Sequence, residues 1–516
     1  MSLALTGTFV VAQPERAVTA PTVRQAATGP QNSVVLQPGA NGSEVIINWQ
    51  TIGTGSEKVK VTSPSSQLVD ASVPASTQIL TQSRTATVTG LKPGTEYTYQ
   101  VGSDETGWSA EYSFTTDDGD GNWNFLLFGD PQIGVNTKID EQKKMWMQTV
   151  DTALADVPDA AMLVSVGDQV EGWGSPLDQH RALLEAPQVT SLPLSTIPGN
   201  HETYGAMEFY KSFFTHPNQE EDIQDYYYEK NNVLFIGLDT NNTNWPRHEE
   251  FLRATVKEHG DANDWIVVML HQAPFSQGSH VHDNDVTGVR TVLAPIFSEL
   301  GVDAVLSGHD HIYTRSHLME GDKPVIAPAA RGDRLEPADG QVLYLTATST
   351  GAGKYYDFHD KNGVKVPNAR MEHVDDFNHP AYEWTAFWRQ DYDPDYTKVE
   401  VSPQELTFTT YDADTPYVID KVTIANNEAP KPEKPTTLSK PTTTKTTTNT
   451  VTSTNTTTTT NTSTSTTTVT EEPLATGSSE GAATASIVVS VLGVLGALGI
   501  LLYDAFGPQL NQLLGR

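Results

Sequence analysis

Metal-binding side chains follow five short apolar runs of this 516-residue chain, each at the point where the run ends. Carboxylate, imidazole and amide oxygen groups suit a pair of Fe, Zn or Mn ions. Two ions that share a carboxylate can acidify a bridging water and neutralise the charge of a phosphate group. The pattern therefore predicts a dinuclear metal site. The five sets are Gly129-Asp130, Gly167-Asp168, Gly199-Asn200-His201, His271 and Gly308-His309-Asp310-His311.

Each of these signals is weak when it is taken alone. A Gly-Asp pair is typical of a turn, and a histidine after a strand is more often structural. Ligands of α/β sheets bind beyond the carboxyl ends of the strands, so a common geometry would bring the five sets to one edge. A glycine before a ligand lets the backbone turn sharply. His309 and His311 would point to opposite faces of a regular strand, so we expect an irregular loop there.

From Trp123 onward, apolar runs of strand length alternate with helical patterns, which favours an α/β layered domain. A helical stripe runs from Ile139 to Leu154, and Val289 to Leu300 is a second helix candidate. The predicted strands are Phe125 to Phe128, Met162 to Val166, Leu194 to Ile197, Val233 to Leu238, Trp265 to Leu270, Ala304 to Leu306 and Leu343 to Ala347.

Residues 21 to 116 have a different texture, with short strands separated by Gly and Pro turns, as in an all-β sandwich. Tyr97 to Val101 alternates cleanly between the two faces. The segment Leu91 to Tyr97 resembles the tyrosine corner of fibronectin type III domains, with Trp49 as the expected core tryptophan. No polar cluster here suits chemistry, so we interpret this domain as structural.

The composition excludes several classes of function. Sixty-four Asp and Glu residues against 32 Lys and Arg residues give a formal charge of −32. Such a surface repels a phosphate backbone, which argues against a nucleic-acid-coating role. A phosphorylated small molecule remains possible as a partner because bound metal ions reverse the charge locally. The absence of cysteine excludes disulfides, thiolate ligands and a cysteine nucleophile.

The two ends of the chain indicate a location at the cell surface. Residues 436–470 contain 22 threonines and should form an extended, disordered stalk. Residues 482–503 carry no charged side chain, and the segment is long enough to cross a bilayer as a helix. The apolar run at residues 3–12 resembles the later part of a signal peptide. We expect the extracellular face of the cell envelope, with the anchor either retained as a membrane span or exchanged for a cell-wall linkage.

These observations give a domain plan. The expected order is a leader segment at 1–20, a fibronectin III-like sandwich at 21–117, a catalytic domain at 122–427, a Pro/Thr-rich linker at 428–480, a transmembrane segment at 482–503 and a tail at 504–516.

The ligand series resembles the calcineurin-like metallophosphoesterases, and most closely the purple acid phosphatase branch. The resemblance runs from about Trp123 to Ile424. The preceding sandwich fits as well, since that branch carries a fibronectin-like N-terminal domain. Leu343 to Thr346, followed by Gly351 to Lys354, is similar to a late segment of bacterial members. The resemblance implies a fold of two mixed β-sheets flanked by helices.

The resemblance also implies a role for each matched residue. It implies two metal ions, with Fe accompanied by Zn or Mn, and makes Asp168 the catalytic bridge between them. His201 would contact the substrate or protonate the leaving group, and His280 and His282 would be further substrate contacts. The implied metal ligands are Asp130 and His311 on the first ion and Asn200, His271 and His309 on the second.

Two positions depart from the family pattern. Glu171 stands where the purple branch has a tyrosine whose charge transfer to ferric iron gives the colour, so no purple centre is expected. Gln132 stands where other members have a histidine, and its amide oxygen would be a weaker metal ligand. Glu171 either binds metal or accepts a hydrogen bond behind the ligands.

The leading hypothesis is a surface phosphohydrolase that acts on phosphate monoesters by in-line attack of a metal-bound hydroxide. A phosphodiesterase or nucleotidase on the same metal site is the first alternative. The second is a non-catalytic adhesion protein, suggested by the sandwich, the stalk and the tripeptide Arg331-Gly332-Asp333. The sequence does not indicate an oligomeric state.

Overall fold

Two β-rich domains follow one another in the part of the chain that the computed structural model describes. The described residues are 30–52, 55–74, 82–205, 207–369, 379–415 and 417–426. The first domain is an all-β domain, and the second combines two mixed β-sheets with helices. This order of an N-terminal β domain and an α/β domain confirms the predicted architecture for the described residues.

The N-terminal domain pairs two antiparallel sheets around one core. One sheet has the order β1-β2-β5, and the other has the order β4-β3-β6-β7 with β8 also on β6. Trp49 is buried in the core between the sheets, as predicted. The hydroxyl of Tyr97 accepts a hydrogen bond from the backbone N–H of Lys92 at 2.8 Å, which confirms the tyrosine corner. The strands are β1 (Gln31–Pro38), β2 (Val45–Thr51), β3 (Lys58–Ser63), β4 (Gln67–Asp70), β5 (Ser83–Val88), β6 (Glu96–Ser103), β7 (Gly107–Trp108) and β8 (Tyr112–Thr115).

The strands of the second domain begin at Trp123, where the sequence changes to apolar runs that alternate with helical patterns. Seven predicted runs each coincide with a strand to within two residues at either end. The strands are β9 (Trp123–Phe128), β10 (Ala160–Ser165), β11 (Leu194–Thr196), β12 (Tyr226–Lys230), β13 (Val233–Leu238), β14 (Trp265–Leu270), β15 (Ala304–Ser307), β16 (Tyr313–Ser316), β17 (Leu318–Glu320), β18 (Lys323–Val325), β19 (Asp333–Leu335), β20 (Gln341–Thr346), β21 (Phe358–His359), β22 (Lys365–Val366), β23 (Thr385–Arg389), β24 (Asp395–Val401), β25 (Glu405–Asp412) and β26 (Val418–Ala425).

Most of these strands form two large mixed sheets that face each other, and β21 and β22 form a separate pair. One large sheet has the order β11-β10-β9-β24-β25-β26-β19. The other has the order β12-β13-β14-β15-β20-β16-β23, with β17 paired to β20 and β18 paired to β17. Within them, β9, β10 and β11 are mutually parallel, and so are β13, β14, β15 and β20. Their inner faces share one apolar core that includes Phe125, Val164, Val267 and Leu306. Parallel strands buried on both faces read as continuous apolar runs, which is the pattern seen in the sequence.

Helices cover the outer faces of the two sheets. The stripe predicted from Ile139 to Leu154 is a helix, and Trp146 on its buried face packs edge-on against Phe128 with ring centroids 5.2 Å apart. The helix predicted at Val289 begins five residues earlier and passes through a π-helical turn at Val289–Leu293. The α-helices are α1 (Ile139–Asp156), α2 (Pro176–Leu183), α3 (Asn200–Tyr204), α4 (Met207–Phe213), α5 (Trp245–His259), α6 (Asn284–Gly288) and α7 (Ala294–Glu299).

Polar contacts join the N-terminal domain to the α/β domain. The Tyr99 hydroxyl donates to the carbonyl of Thr190 at 2.7 Å, and the Lys230 ammonium lies 2.6 Å from an Asp117 carboxylate oxygen. Lys230 and Asp117 are both largely shielded from solvent. The sandwich therefore packs against the α/β domain, and these contacts involve none of the predicted metal ligands.

Several predictions lie outside the described residues. These are the leader at 1–20, the linker at 428–480, the transmembrane segment at 482–503 and the tail at 504–516. Of the helices that the structure describes, none is both long and apolar enough to cross a membrane.

The tripeptide Arg331-Gly332-Asp333 leads into β19, where the Asp333 carboxylate accepts a hydrogen bond from the backbone N–H of Ala330 at 2.6 Å.

Candidate metal centre

The five predicted ligand sets lie beyond the carboxyl ends of strands from both facing sheets, four of them on loops and Asn200-His201 at the start of α3. Asp130, Asp168 and Asn200 follow β9, β10 and β11 of one sheet. His271 and the segment 308–311 follow β14 and β15 of the other. Because the chain enters each loop directly from a buried strand, the rigid core sets the position of each ligand. The two sheets therefore share one loop-lined edge.

Two groups of metal-capable side chains overlap at this edge. Asp130, Asp168 and His311 bring their ligand atoms within 4.8 Å of one another, and so do Asp168, His271 and His309. All five side chains are buried. Asp168 belongs to both groups, which is the position that a carboxylate shared between two ions would occupy. The Oδ1 atom of Asn200 lies 3.1 Å from Nε2 of His271 and adds an amide oxygen to the second group.

Backbone carbonyls orient the two histidines that point their Nε2 atoms into the site. Nδ1 of His271 lies 2.8 Å from the carbonyl of Val166, and Nδ1 of His311 lies 2.7 Å from the carbonyl of Lys354. An imidazole that donates its Nδ1–H to a carbonyl presents an Nε2 lone pair on its other side. This arrangement is the usual support of a metal-binding histidine. His309, in contrast, turns Nδ1 toward His271 at 3.2 Å.

Carboxylates and imidazoles lie close together in the cluster and shift each other's pKa values. Burial acts to raise the pKa of Asp168, but the imidazoles of His271 and His201 outweigh burial and hold that pKa well below its ordinary value. The pKa of His271 is raised in turn, because the Asp168 carboxylate outweighs the effect of burial. Burial, followed by the neighbouring His271, lowers the pKa of His309 and keeps that imidazole neutral. A cation bound to the Asp168 carboxylate would offset the negative charge that raises the pKa of His271.

Glycine is required before the ligands mainly because a Cβ atom would not fit at these positions. The sequence predicts that they permit sharp turns, but of the four only Gly167 has a positive φ, at 95°. A Cβ atom on Gly199 would lie 2.1 Å from Oδ1 of Asp168, and one on Gly308 would lie 2.4 Å from Oδ2 of Asp130. The left-handed conformations belong to the ligands themselves, with φ of 40° at Asp130, 47° at Asp168 and 69° at His309. Such strain is characteristic of functional sites.

His201 lies beside the shared carboxylate. Its backbone N–H donates to Oδ1 of Asp168 at 2.9 Å, and its Nε2 lies 3.8 Å from Oδ2 of the same residue. Its Nδ1 lies 2.8 Å from the backbone carbonyl of Glu171. The Glu171 carboxylate lies 3.4 Å from that Nδ1, and its Oε2 is buried without a hydrogen-bond partner among the described residues. Both roles considered for Glu171, a metal ligand and a hydrogen-bond acceptor behind the ligands, therefore stay predictions.

Gln132 is fully buried, and its side chain contacts His201. Its Nε2 lies 2.7 Å from Nε2 of His201. Its Oε1 has no hydrogen-bond partner among the residues that the structure describes. A buried, unpartnered amide oxygen beside the cluster leaves the predicted metal-ligand role of Gln132 sterically open.

The two substrate candidates downstream of His271 lie in different places. The ring of His280 lies 4.2 Å from the ring of His309, so this side chain faces the cluster. His282 is exposed, and its Nε2 lies 3.0 Å from the hydroxyl of Tyr382. Of the hydrogen bonds of the described residues, none joins the His282 side chain to the ligand cluster. The structure therefore brings His280 to the site and leaves His282 to one side.

Comparison with known proteins agrees with this geometry. Residues 31–116 match the purple acid phosphatase N-terminal domain, and residues 124–313 match the calcineurin-like phosphoesterase family. The chain therefore carries a purple acid phosphatase N-terminal domain followed by a calcineurin-like phosphoesterase domain. The second match contains every predicted metal ligand and both candidate substrate histidines.

Two sequence relatives and one solved structure resemble the chain. Acid phosphatase type 7 of Mus musculus is 26% identical over 251 residues, which cover 44% of this chain and 56% of the mouse protein. The chain thus spans little more than half the length of that relative. An uncharacterised protein of Mycobacterium tuberculosis is 22% identical over 450 residues, covering 74% of this chain and 82% of the relative. A purple acid phosphatase from yellow lupin seeds shares the fold, with a TM-score of 0.59 at 17% identity over 77% of this chain and 74% of that chain.

Three residues that the sequence reasoning did not select support the metallophosphoesterase site. The buried Glu202 carboxylate accepts hydrogen bonds from the backbone N–H groups of Asp168 at 3.0 Å and Gly199 at 2.6 Å. The buried Asp310 carboxylate accepts from the backbone N–H of His280 at 2.9 Å. Asp310 directly follows the ligand His309, and Glu202 lies two residues after the ligand Asn200. That proximity was the available signal, although Asp168 lies 34 residues from Glu202 in sequence and His280 lies 30 residues from Asp310.

Tyr356 is the third residue of this kind. Its ring lies 4.6 Å from the ring of His311, and its hydroxyl lies 3.2 Å from Nε2 of His280. The segment Gly351 to Lys354, singled out in the sequence, ends two residues before it. Tyr356 therefore connects the late segment of the chain to a ligand histidine and to the candidate substrate histidine.

The residues of the metallophosphoesterase site fit a pair of hard or borderline metal ions. The donors are carboxylate, imidazole and amide oxygen groups, which suit Fe, Zn or Mn. Nε2 of His309 and Oε1 of Gln132 are buried without a partner among the described residues, as expected of atoms that a cation could satisfy. Asp168 would hold both ions, with Asp130 and His311 on one and Asn200, His271 and His309 on the other.

Proposed function

We propose that this metallophosphoesterase hydrolyses phosphate monoesters in the manner of an acid phosphatase. The observation that carries the proposal is the position of Asp168, which belongs to two ligand groups and whose Oδ2 lies 3.8 Å from Nε2 of His201. A shared carboxylate suits two metal ions, and a histidine beside it suits proton transfer at the reacting phosphate. Bound ions would supply charge neutralisation and a water of lowered pKa.

The residues around His201 prepare its Nε2 for proton transfer. Nδ1–H donates to the carbonyl of Glu171, so the exchangeable site is Nε2, which faces the ligand cluster. Oδ2 of Asp168 lies 3.8 Å from this Nε2, so the exchangeable site is next to the shared carboxylate. Rotation of the Gln132 amide would place Oε1 as an acceptor for a protonated Nε2. We propose that His201 donates a proton from Nε2 to the departing oxygen of the ester.

His280 and Tyr356 supply polar groups at another part of the cluster. Nε2 of His280 and the hydroxyl of Tyr356 lie 3.2 Å apart, and the His280 ring packs against His309. Phosphate oxygens that do not react need such donors to fix their orientation. We assign His280 to substrate positioning, whereas the placement of His282 supports no such role.

The experiment that tests the proposal combines metal content with hydrolysis of an aryl phosphate monoester by the purified full-length protein. We expect about two metal ions per chain and turnover that Asp168→Asn abolishes. Asp140→Asn is the matched control, because the Asp140 side chain is 93% exposed on α1. A diester substrate measured alongside the monoester separates the monoesterase from a phosphodiesterase. Full activity of Asp168→Asn would overturn the proposal.

We also propose that the catalytic domain is displayed on the outer face of the cell envelope. The support is the sequence alone, with a threonine-rich stretch at 436–470 followed by an apolar segment at 482–503. Protease treatment of intact cells should release the phosphatase activity into the medium. Activity that is protected until the cells are lysed would overturn the assignment.

A further inference from the structure

Two aromatic side chains are exposed at the edge of the metal centre. Trp173 is 59% exposed and Tyr204 is 39% exposed. Their rings are stacked, with centroids 5.0 Å apart and planes inclined by 23°. Among the described residues they are two of only eight large hydrophobic side chains with comparable exposure. Exposed aromatic surface of this kind marks a place where a ligand or a partner binds.

The loop that carries Trp173 is firmly held, so its indole is presented in one position. The buried Gln179 side chain binds both sides of the loop, because its Oε1 accepts from the backbone N–H of Gly172 at 2.9 Å and its Nε2 donates to the carbonyl of Trp173 at 2.7 Å. Gly172 adopts a φ of 75°, and a Cβ there would lie 2.0 Å from the carbonyl oxygen of His201. The loop is therefore pressed against the backbone of the residue that we assign to proton transfer.

Tyr204 connects this aromatic pair to the reacting groups. Its ring meets that of His201 edge-on, with centroids 4.7 Å apart. Its hydroxyl accepts a hydrogen bond from Nδ2 of Asn200 at 2.6 Å, and this leaves Oδ1 of Asn200 facing His271. The rings of His201, Tyr204 and Trp173 thus form a continuous series from the ligand cluster outward to solvent.

We propose that Trp173 and Tyr204 form a stacking surface for an aromatic ring in the leaving group of the substrate. The inference rests on the proposed phosphatase function. The leaving group of a phosphate ester must lie on the side of the proton donor, and the aromatic pair lies next to His201. A flat ring of a nucleobase or a phenol matches the indole face, and stacking of this kind is tolerant of the identity of the ring.

The test compares esters that differ in the ring alone. Adenosine 5′-monophosphate is paired with ribose 5-phosphate, and phenyl phosphate with cyclohexyl phosphate, and kcat/KM is measured for each. Trp173→Ala should lower the ratio of aromatic to non-aromatic kcat/KM by about fivefold or more, since loss of base stacking commonly has that effect. Trp173→Phe keeps a flat ring and should retain most of the ratio. Trp108→Ala, a tryptophan change in the N-terminal domain, should leave the ratio unaltered.

The outcomes separate this inference from the function on which it rests. A fall of the nucleotide ratio alone identifies a nucleobase as the ring, and a fall of the phenyl ratio alone identifies a phenol; either result supports the proposal. Ratios that stay within twofold of the wild-type values in Trp173→Ala would overturn the stacking surface while the phosphatase assignment stands. A wild-type protein that hydrolyses none of the four esters would overturn the phosphatase assignment itself.

Discussion

Replacing Asp420 with asparagine should destabilise the α/β domain, because this residue forms a buried ion pair between the two facing sheets. Arg315 on β16 donates from Nε to Oδ2 of Asp420 on β26 at 2.6 Å, and the Tyr313 hydroxyl donates to the same oxygen at 3.0 Å. The two charged side chains are 1% and 0% exposed. Asparagine would remove the negative charge and place an amide N–H₂ among donors.

The magnitude follows from the burial of the pair. Removing one partner of a buried ion pair costs about 3–5 kcal/mol, because the remaining charge is left without compensation. Oδ2 of Asp333 lies 3.8 Å from Nη1 of Arg315 and remains as a partial partner. We therefore expect the Asp420→Asn change to lower the free energy of unfolding by about 3 kcal/mol, at the low end of that range.

Urea unfolding followed by tryptophan fluorescence measures this loss. The matched control is Glu299→Gln, whose carboxylate lies 2.7 and 2.8 Å from the Arg253 guanidinium but is exposed to water. Solvent screens such a pair, so no resolvable change is expected. The Asp333→Asn change should cost more in the Asp420→Asn background than in the wild type, since it then removes the remaining carboxylate beside Arg315.

Two results would refute this reasoning. One is an Asp420→Asn protein that unfolds at the wild-type urea midpoint, which would show that the pair contributes nothing net. The other is an equal loss in Glu299→Gln, which would show that burial does not decide the cost.

Two further predictions concern acid stability and metal affinity. Burial lowers the pKa of His180 to about 4, against about 6.5 in an unfolded chain, so the unfolded state binds more protons between these values and stability falls as the pH drops through that window. Urea unfolding at pH 7 and pH 5 should show a loss of up to about 2 kcal/mol from this group, which His180→Gln removes; an identical pH dependence in the variant would contradict the assignment. Gly308→Ala should weaken metal binding about 10- to 100-fold, because the new Cβ displaces the Asp130 carboxylate. Competition with a chelator measures this, with Gly42→Ala, where a Cβ meets nothing within 4 Å, as the control; equal affinities would contradict the steric argument.

The strands and the positions of the ligands along the chain could be predicted because both are local properties. A buried strand reads as a continuous apolar run, and the residue that follows it leaves the sheet at its carboxyl end. Asp130 and Asp168 follow such runs with one or two residues between, and the structure places both in one cluster. The tyrosine corner at Tyr97 was predictable for the same reason, since its hydroxyl binds a backbone group five residues upstream.

The contacts made by His280 and His282 could not be predicted in this way. They are the same residue type two positions apart, yet the first packs against His309 and the second against Tyr382. The backbone N–H of His280 donates to the Asp310 carboxylate, which lies on the loop after β15 and is 30 residues distant in sequence. No periodicity within the segment carries that information.

The sequence by itself determined which residue types stand at the ends of the buried strands, and therefore that carboxylate, imidazole and amide groups would be available for metal ions. Burial of apolar runs and the length of strands are encoded locally, so this much follows from the order of residues. Only the tertiary structure decided that the ligands come from two facing sheets and that Asp168 lies in both ligand groups. It also placed the Trp173 and Tyr204 rings beside His201. These relations join residues on different strands and loops, and they depend on how the two sheets pack across their common core.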